Sequence, residues 1–187
     1  MADKKIINIT TPLTDEVVRG LKAGDSVRIT GSIFTARDAA HKRMTEGLAN
    51  GKPLPIDIKG QIIYYVGPTP PKPGQAIGSA GPTTSGRMDK YSPELMSLGM
   101  KGMIGKGARS QEVVDAIKKY GAVYFAAIGG AAALIAQKVK AYKVVDYDDL
   151  GAEALAEMVV EDFPAIVVID SEGNDYYKIG VAEYSKE

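Results

Sequence analysis

Between Gly81 and Asp89 the chain reads Gly-Pro-Thr-Thr-Ser-Gly-Arg-Met-Asp. Glycine lets a backbone approach a ligand closely, and the hydroxyls of Thr83, Thr84 and Ser85 offer both donors and acceptors. Arg87 adds a planar fork suited to a carboxylate or a phosphate. None of these groups helps to build a core, so the stretch is either a solvated turn or a binding loop. Other anion-seeking groups recur along the chain. Arg37 and His41 stand one helical turn apart in Thr35-Ala36-Arg37-Asp38-Ala39-Ala40-His41, and Lys106 lies between Gly105 and Gly107. Gly129-Gly130 joins a strand-like run to a small-residue helix, where free amides make a generic anion site. Gly102–Gly107 lacks the glycine spacing and the Ser or Thr of a phosphate-binding P-loop, and no full Gly-x-Gly-x-x-Gly fingerprint occurs, so no NAD is expected. Anion-seeking features without a phosphate motif point to a small carboxylate ligand such as a dicarboxylate.

Composition narrows the chemistry further. The 187 residues contain no cysteine and one histidine. Disulfides, thiolate catalysis and any iron–sulfur, zinc–thiolate or His-based metal site built from this chain alone are excluded. Lys+Arg and Asp+Glu number 23 each, so no basic surplus points to nucleic acid. No run of eighteen apolar residues indicates a membrane span, and Met1-Ala2-Asp3-Lys4 does not read as a signal peptide. A cytoplasmic protein with one domain over residues 1–187 is expected.

The elements that must position these residues alternate between strand and helix. Strands are expected over residues 4–10, 26–30, 61–66, 122–128, 143–146 and 165–169, while 150–159 fits helix or strand equally. Thr14 caps a short helix to Leu21, and Thr35 with Asp38 forms a capping box that starts a helix at Thr35 and puts Arg37 in its first turn. Pro93 opens a helix ending near Gly99, Ser110 caps one to Tyr120, and residues 131–139 form a third. Residues 171–174 turn the chain into 175–178. The class is α/β, with a mixed sheet or two sheet layers.

The segments Thr-Ala-Arg-Asp-Ala-Ala-His (35–41), Gly-Pro-Thr-Thr-Ser-Gly-Arg-Met-Asp (81–89), Gly-Lys-Gly (105–107) and Ile-Gly-Gly-Ala-Ala-Ala (128–133) together resemble the β subunit of class I fumarate hydratase. That subunit corresponds to the C-terminal domain of the single-chain enzymes, and L(+)-tartrate dehydratase β subunits are close relatives. The resemblance covers nearly the whole chain. It implies a swivelling β/β/α domain with a mixed sheet and flanking helices, closing over a cysteine-bearing α subunit in a heterotetramer. The [4Fe–4S] cluster is expected on that partner, with no cofactor or metal bound by this chain.

The resemblance further implies that Arg37, Arg87 and Lys106 bind the substrate carboxylates, and that Thr83 occupies the proton-transfer position. Thr84 is not separated from Thr83 by spacing. Asp38 and His41 are expected to support the site by orienting Arg37 or closing the cap. The expected activity is reversible hydration of fumarate to malate. Tartrate or methylfumarate dehydration and a non-catalytic anion-binding regulatory module are the alternatives.

Overall fold

Apolar residues in Ile62–Tyr64 and the strands beside it alternate between two cores, and that alternation defines the architecture. Ile62, Tyr64, Ile104, Val123 and Phe125 belong to one buried cluster, while Ile63, Tyr65, Met103 and Tyr124 belong to another. Period-two alternation with both faces apolar is the signature of a sheet covered on both sides. The computed structural model describes residues 6–127 and 132–184. Its strands are β1 (Ile6–Thr10), β2 (Ser26–Thr35), β3 (Ile62–Tyr64), β4 (Gly102–Gly105), β5 (Val123–Ala127), β6 (Val139–Asp146) and β7 (Leu155–Ile169). Its helices are α1 (Asp15–Gly20), α2 (Asp38–Ala49), α3 (Ser92–Ser97), α4 (Gln111–Tyr120), α5 (Ala132–Gln137) and α6 (Tyr176–Tyr184).

The sheet is mixed, one of the two arrangements expected for this α/β chain. Strands β1 to β5 pair in parallel in chain order, and β7 runs antiparallel to β5, β6 and β2. Because β7 pairs with both β2 and β5, the strands β2–β3–β4–β5–β7 close into a ring. The first cluster fills the ring, with Val18 of α1 and Ile135 of α5 packed into it. The second lies between the ring and the helices α2, α3 and α4, which contribute Ala40, Met44, Leu95, Met96, Val113 and Ile117. Thr14 caps α1 by accepting from the Val17 amide at 3.2 Å, and Ser110 caps α4 by accepting from the Val113 amide at 3.4 Å. No helix among the described residues is long and apolar enough to cross a membrane.

Several boundaries differ from those expected. Thr35 is not a helix cap. It is the last residue of β2, fully buried, with its backbone registered against Ala156 and Tyr64. Tertiary strand pairing overrides the local Thr-x-x-Asp signal, and α2 starts at Asp38 with Arg37 as its N-cap residue. Arg37 is therefore outside the first turn. The ambiguous 150–159 segment divides, with residues from Leu155 onward entering the fifteen-residue β7. Val139 starts β6 and does not end a helix, and residues 176–178 open α6. The Gly129-Gly130 junction and the first five residues lie outside the described residues.

Candidate functional site

Parallel strands place their carboxyl ends on one edge, and ligands of α/β sheets gather at such edges. Here that edge receives the residues following β2, β3 and β4: Arg37, the Tyr65–Gly67 segment and Lys106. The 81–89 loop is stitched to the same edge through its backbone. The Thr83 amide donates to the Tyr65 carbonyl at 2.7 Å, Thr84 forms a parallel bridge with Lys106, and the Ser85 amide donates to the Lys106 carbonyl at 2.9 Å. A 3-10 turn over Ser85–Met88 then projects Arg87 toward the start of α2. Arg87 Nε donates to Asp38 Oδ1 at 2.7 Å. Arg37 Nη2 lies 3.3 Å from Glu153 Oε1, and Arg37 Nε lies 3.9 Å from Asp38 Oδ2.

The structure thus brings Arg37, Asp38, Thr83, Thr84, Arg87 and Lys106 to one side of the sheet. Thr83 is half-buried, whereas Thr84, Arg87 and Lys106 are exposed. Lys106 takes part in no ion pair among the described residues. Arg37 Nε, Asp38 Oδ2 and His41 Nε2 are screened from solvent without a hydrogen-bond partner. Buried polar atoms are ordinarily paired, so three orphans within five residues mark a place that water or a ligand completes. An exposed ion pair such as Arg87–Asp38 adds only about 0.2–1 kcal/mol to stability. Its geometry matters more than its contribution to folding.

His41 is wholly buried beneath Arg37. Its Nδ1 lies 2.8 Å from the Arg37 carbonyl, which can only accept, so Nδ1 carries the proton of the neutral ring. Tyr65 packs edge-on against the imidazole at 5.3 Å. Burial pulls its pKa down to about 4, assisted by the Arg109 charge, against the Arg37 carbonyl and Asp38, which oppose the fall. An unfolded chain protonates this histidine near pH 6.5, the folded one near 4, so the unfolded state binds more protons between them. Stability is complete above about pH 6.5 and falls as the pH drops toward 4, by about 3 kcal/mol in all. Denaturant unfolding at stepped pH is expected to show this loss, and His41→Gln to flatten it. An equal slope in both proteins would contradict the assignment.

Two supports were not apparent in the sequence. The Arg109 side chain is fully buried, with Nε donating to Asp89 Oδ1 at 2.6 Å and Nη2 to Ser92 Oγ at 2.9 Å. It lies between the rings of Tyr65 and Tyr124, 5.4 and 5.0 Å from their centroids. Asp89 Oδ2 also accepts from the Ser110 amide at 2.7 Å, so this pair fixes the end of the 81–89 loop to the start of α4. At the loop's middle, Ser85 Oγ and the Tyr124 hydroxyl are 2.9 Å apart, and that hydroxyl donates to the Gly107 carbonyl at 2.9 Å. A Cβ at Gly105 would overlap Ser85 Oγ, so only glycine allows the loop to sit this close to β4. The second support is Glu153, whose Oε2 accepts from the Ala39 amide at 3.1 Å while Oε1 faces Arg37. Arg109, two residues past Gly-Lys-Gly, could have been suspected from its position; nothing local marks Glu153.

The Fumarase C-terminus family matches residues 1–180 of this chain. The chain belongs to that family. Among individual relatives of the Fumarase C-terminus family, Fumarate hydratase class I, aerobic, from Escherichia coli (strain K12) is 46% identical over 152 residues, covering 80% of this chain and 28% of that protein. Fumarate hydratase 1, mitochondrial, from Leishmania major is 42% identical over 178 residues, covering 92% of this chain and 32% of its own length. A Methanocaldococcus jannaschii protein provisionally named L(+)-tartrate dehydratase subunit beta is 42% identical over 172 residues, covering 89% of this chain and 88% of its own. The chain therefore spans less than a third of these fumarate hydratases and most of the archaeal subunit. By these names the family is one of hydro-lyases.

Proposed function

We propose that residues 1–187 form a single swivelling domain that acts as the β-subunit half of a cytoplasmic iron–sulfur hydro-lyase, interconverting fumarate and malate. The observation that carries this reading is the gathering of Arg37, Arg87 and Lys106 beside Thr83 at the carboxyl ends of parallel strands. A dicarboxylate needs charge-assisted hydrogen bonds at both ends, and this edge offers two guanidinium forks and an ammonium. Asp38 and Glu153 offset part of that charge, which keeps the arginines ordered between turnovers.

The sequence offers no cysteine to hold a cluster, and among the described residues no group of three His, Cys, Asp or Glu is placed to hold a metal. The proposed cluster would be held by a cysteine-bearing α subunit, in a heterotetramer, where it would supply Lewis-acid chemistry. This chain's part is to clamp the carboxylates and to move one proton at Thr83 Oγ. A threonine hydroxyl is a poor base at its ordinary pKa, so it requires a carboxylate from the partner beside it.

Dehydration of tartrate is the second reading, favoured by the near-complete overlap with the archaeal subunit. Turnover of fumarate and L-tartrate is measured on this chain alone, and on the chain assembled anaerobically with its partner. Fumarate consumed by the assembly and not by this chain alone is the expected outcome. Tartrate turnover alone moves the substrate to the second reading. An assembly that forms yet acts on neither makes this chain a non-catalytic anion-binding module.

A further inference from the structure

Charges alternate across the site without interruption. Arg87 Nε donates to Asp38 Oδ1 at 2.7 Å, Asp38 Oδ2 lies 3.9 Å from Arg37 Nε, Arg37 Nη2 lies 3.3 Å from Glu153 Oε1, and Glu153 Oε2 accepts from the Ala39 amide at 3.1 Å. Glu153 comes from the Asp148–Glu153 turn, remote in sequence from the other members. Its carboxylate is held twice, so the oxygen facing Arg37 has a fixed direction. Backbone also confines the Arg37 side chain. A Cβ at Gly67 would lie 3.2 Å from Arg37 Nη1 and 2.8 Å from the Ala152 carbonyl, so the guanidinium occupies a slot that glycine leaves open. A long cation free to rotate loses affinity to the ordering that binding demands, and one held in a slot does not.

We propose that Glu153 is a positioning residue that aims Arg37 at the substrate carboxylate. This rests on the reading of Arg37 as a carboxylate ligand. Glu153 touches no substrate and acts through the guanidinium it faces. The turn preceding β7 thereby becomes part of the binding apparatus, because its placement sets the direction of the charge at α2's N-cap.

The assembled enzyme tests this through KM and kcat for fumarate in Glu153→Ala, Glu153→Gln, Arg37→Ala and the Arg37→Ala/Glu153→Ala double variant. Glu153→Ala is expected to raise KM about tenfold with kcat nearly unchanged, the size of coupling usual for residues in one charge network. Glu153→Gln keeps an oxygen for the Ala39 amide but loses the charge, and is expected to raise KM only about threefold. The double variant should match Arg37→Ala alone, because Glu153 has nothing left to aim. Additive losses in the double variant would make Glu153 a helix cap and overturn the proposal. A KM raised by Arg37→Ala but unmoved by both Glu153 variants overturns the proposal and spares the site. A KM unmoved by Arg37→Ala overturns both. If Glu153→Ala fails to assemble, Glu153→Gln decides by the same rule, its unchanged KM counting against the proposal.

Discussion

Thr83→Ala is expected to lower kcat by about 10²–10⁴-fold with little change in KM, the range usual for removing a general acid or base. An interaction needed only at the transition state appears in kcat, whereas one shared with the bound substrate appears in KM. The loop's anchors make the experiment interpretable. Thr83 is held by its backbone amide on the Tyr65 carbonyl, and Thr84 by its backbone bridge to Lys106. Neither anchor involves the hydroxyl, so truncating a side chain leaves the loop stitched in place. Thr83→Ser keeps the hydroxyl and should retain more activity than Thr83→Ala. Thr84 is exposed at the entry to the 3-10 turn, and Thr84→Ala should act on KM or stability. These variants are assayed anaerobically in the assembled enzyme, so that cluster loss cannot imitate the effect. A large kcat loss in Thr84→Ala with a mild one in Thr83→Ala would reverse the two roles.

Much of this site is legible in the sequence because each cation sits in a short motif at an element's end. Arg37, Arg87 and Lys106 span seventy positions of the sequence, yet the parallel strands bring them to one edge. What resists reading is whatever depends on non-local pairing. Thr35 and Asp38 have the spacing of a capping box, but Thr35 pairs with Ala156 of β7, more than a hundred residues away, and strand pairing prevails. The cap on α2 is then supplied by Glu153, whose neighbours in sequence give no hint of it. The 150–159 segment is ambiguous for a related reason. Leu155 and Ala156 are both buried because β7 lies between two apolar layers, so a clean polar alternation never develops. Arg109 is hidden by its chemistry: a buried guanidinium is expected only where a carboxylate and aromatic faces await it, and Asp89, Tyr65 and Tyr124 meet at that point only in the fold.

Arg87→Lys should cost the assembled enzyme far more than the retained charge suggests. The ammonium cannot present two parallel donors to a carboxylate, and it has no Nε to engage Asp38 while the rest of the group faces a ligand. Asp38 occupies the Nε edge in the structure, so the two Nη atoms form the end that remains for substrate. A charge-assisted hydrogen bond of this kind is worth roughly 1.5–3 kcal/mol, which corresponds to roughly a ten- to hundredfold loss in kcat/KM. Stability should scarcely change, because the side chain is 53% exposed and its ion pair is solvated.

The proposed function requires the strand-end cations to hold a dicarboxylate. Its most direct test is the affinity of the assembled enzyme for succinate, which has both carboxylates and no double bond to hydrate, with Arg87→Lys measured beside the unaltered chain. Succinate inhibition of fumarate turnover weakened by the same roughly ten- to hundredfold factor as kcat/KM is the predicted result. Unaltered succinate affinity and unaltered kcat/KM would show that Arg87 faces solvent and that the carboxylates bind elsewhere.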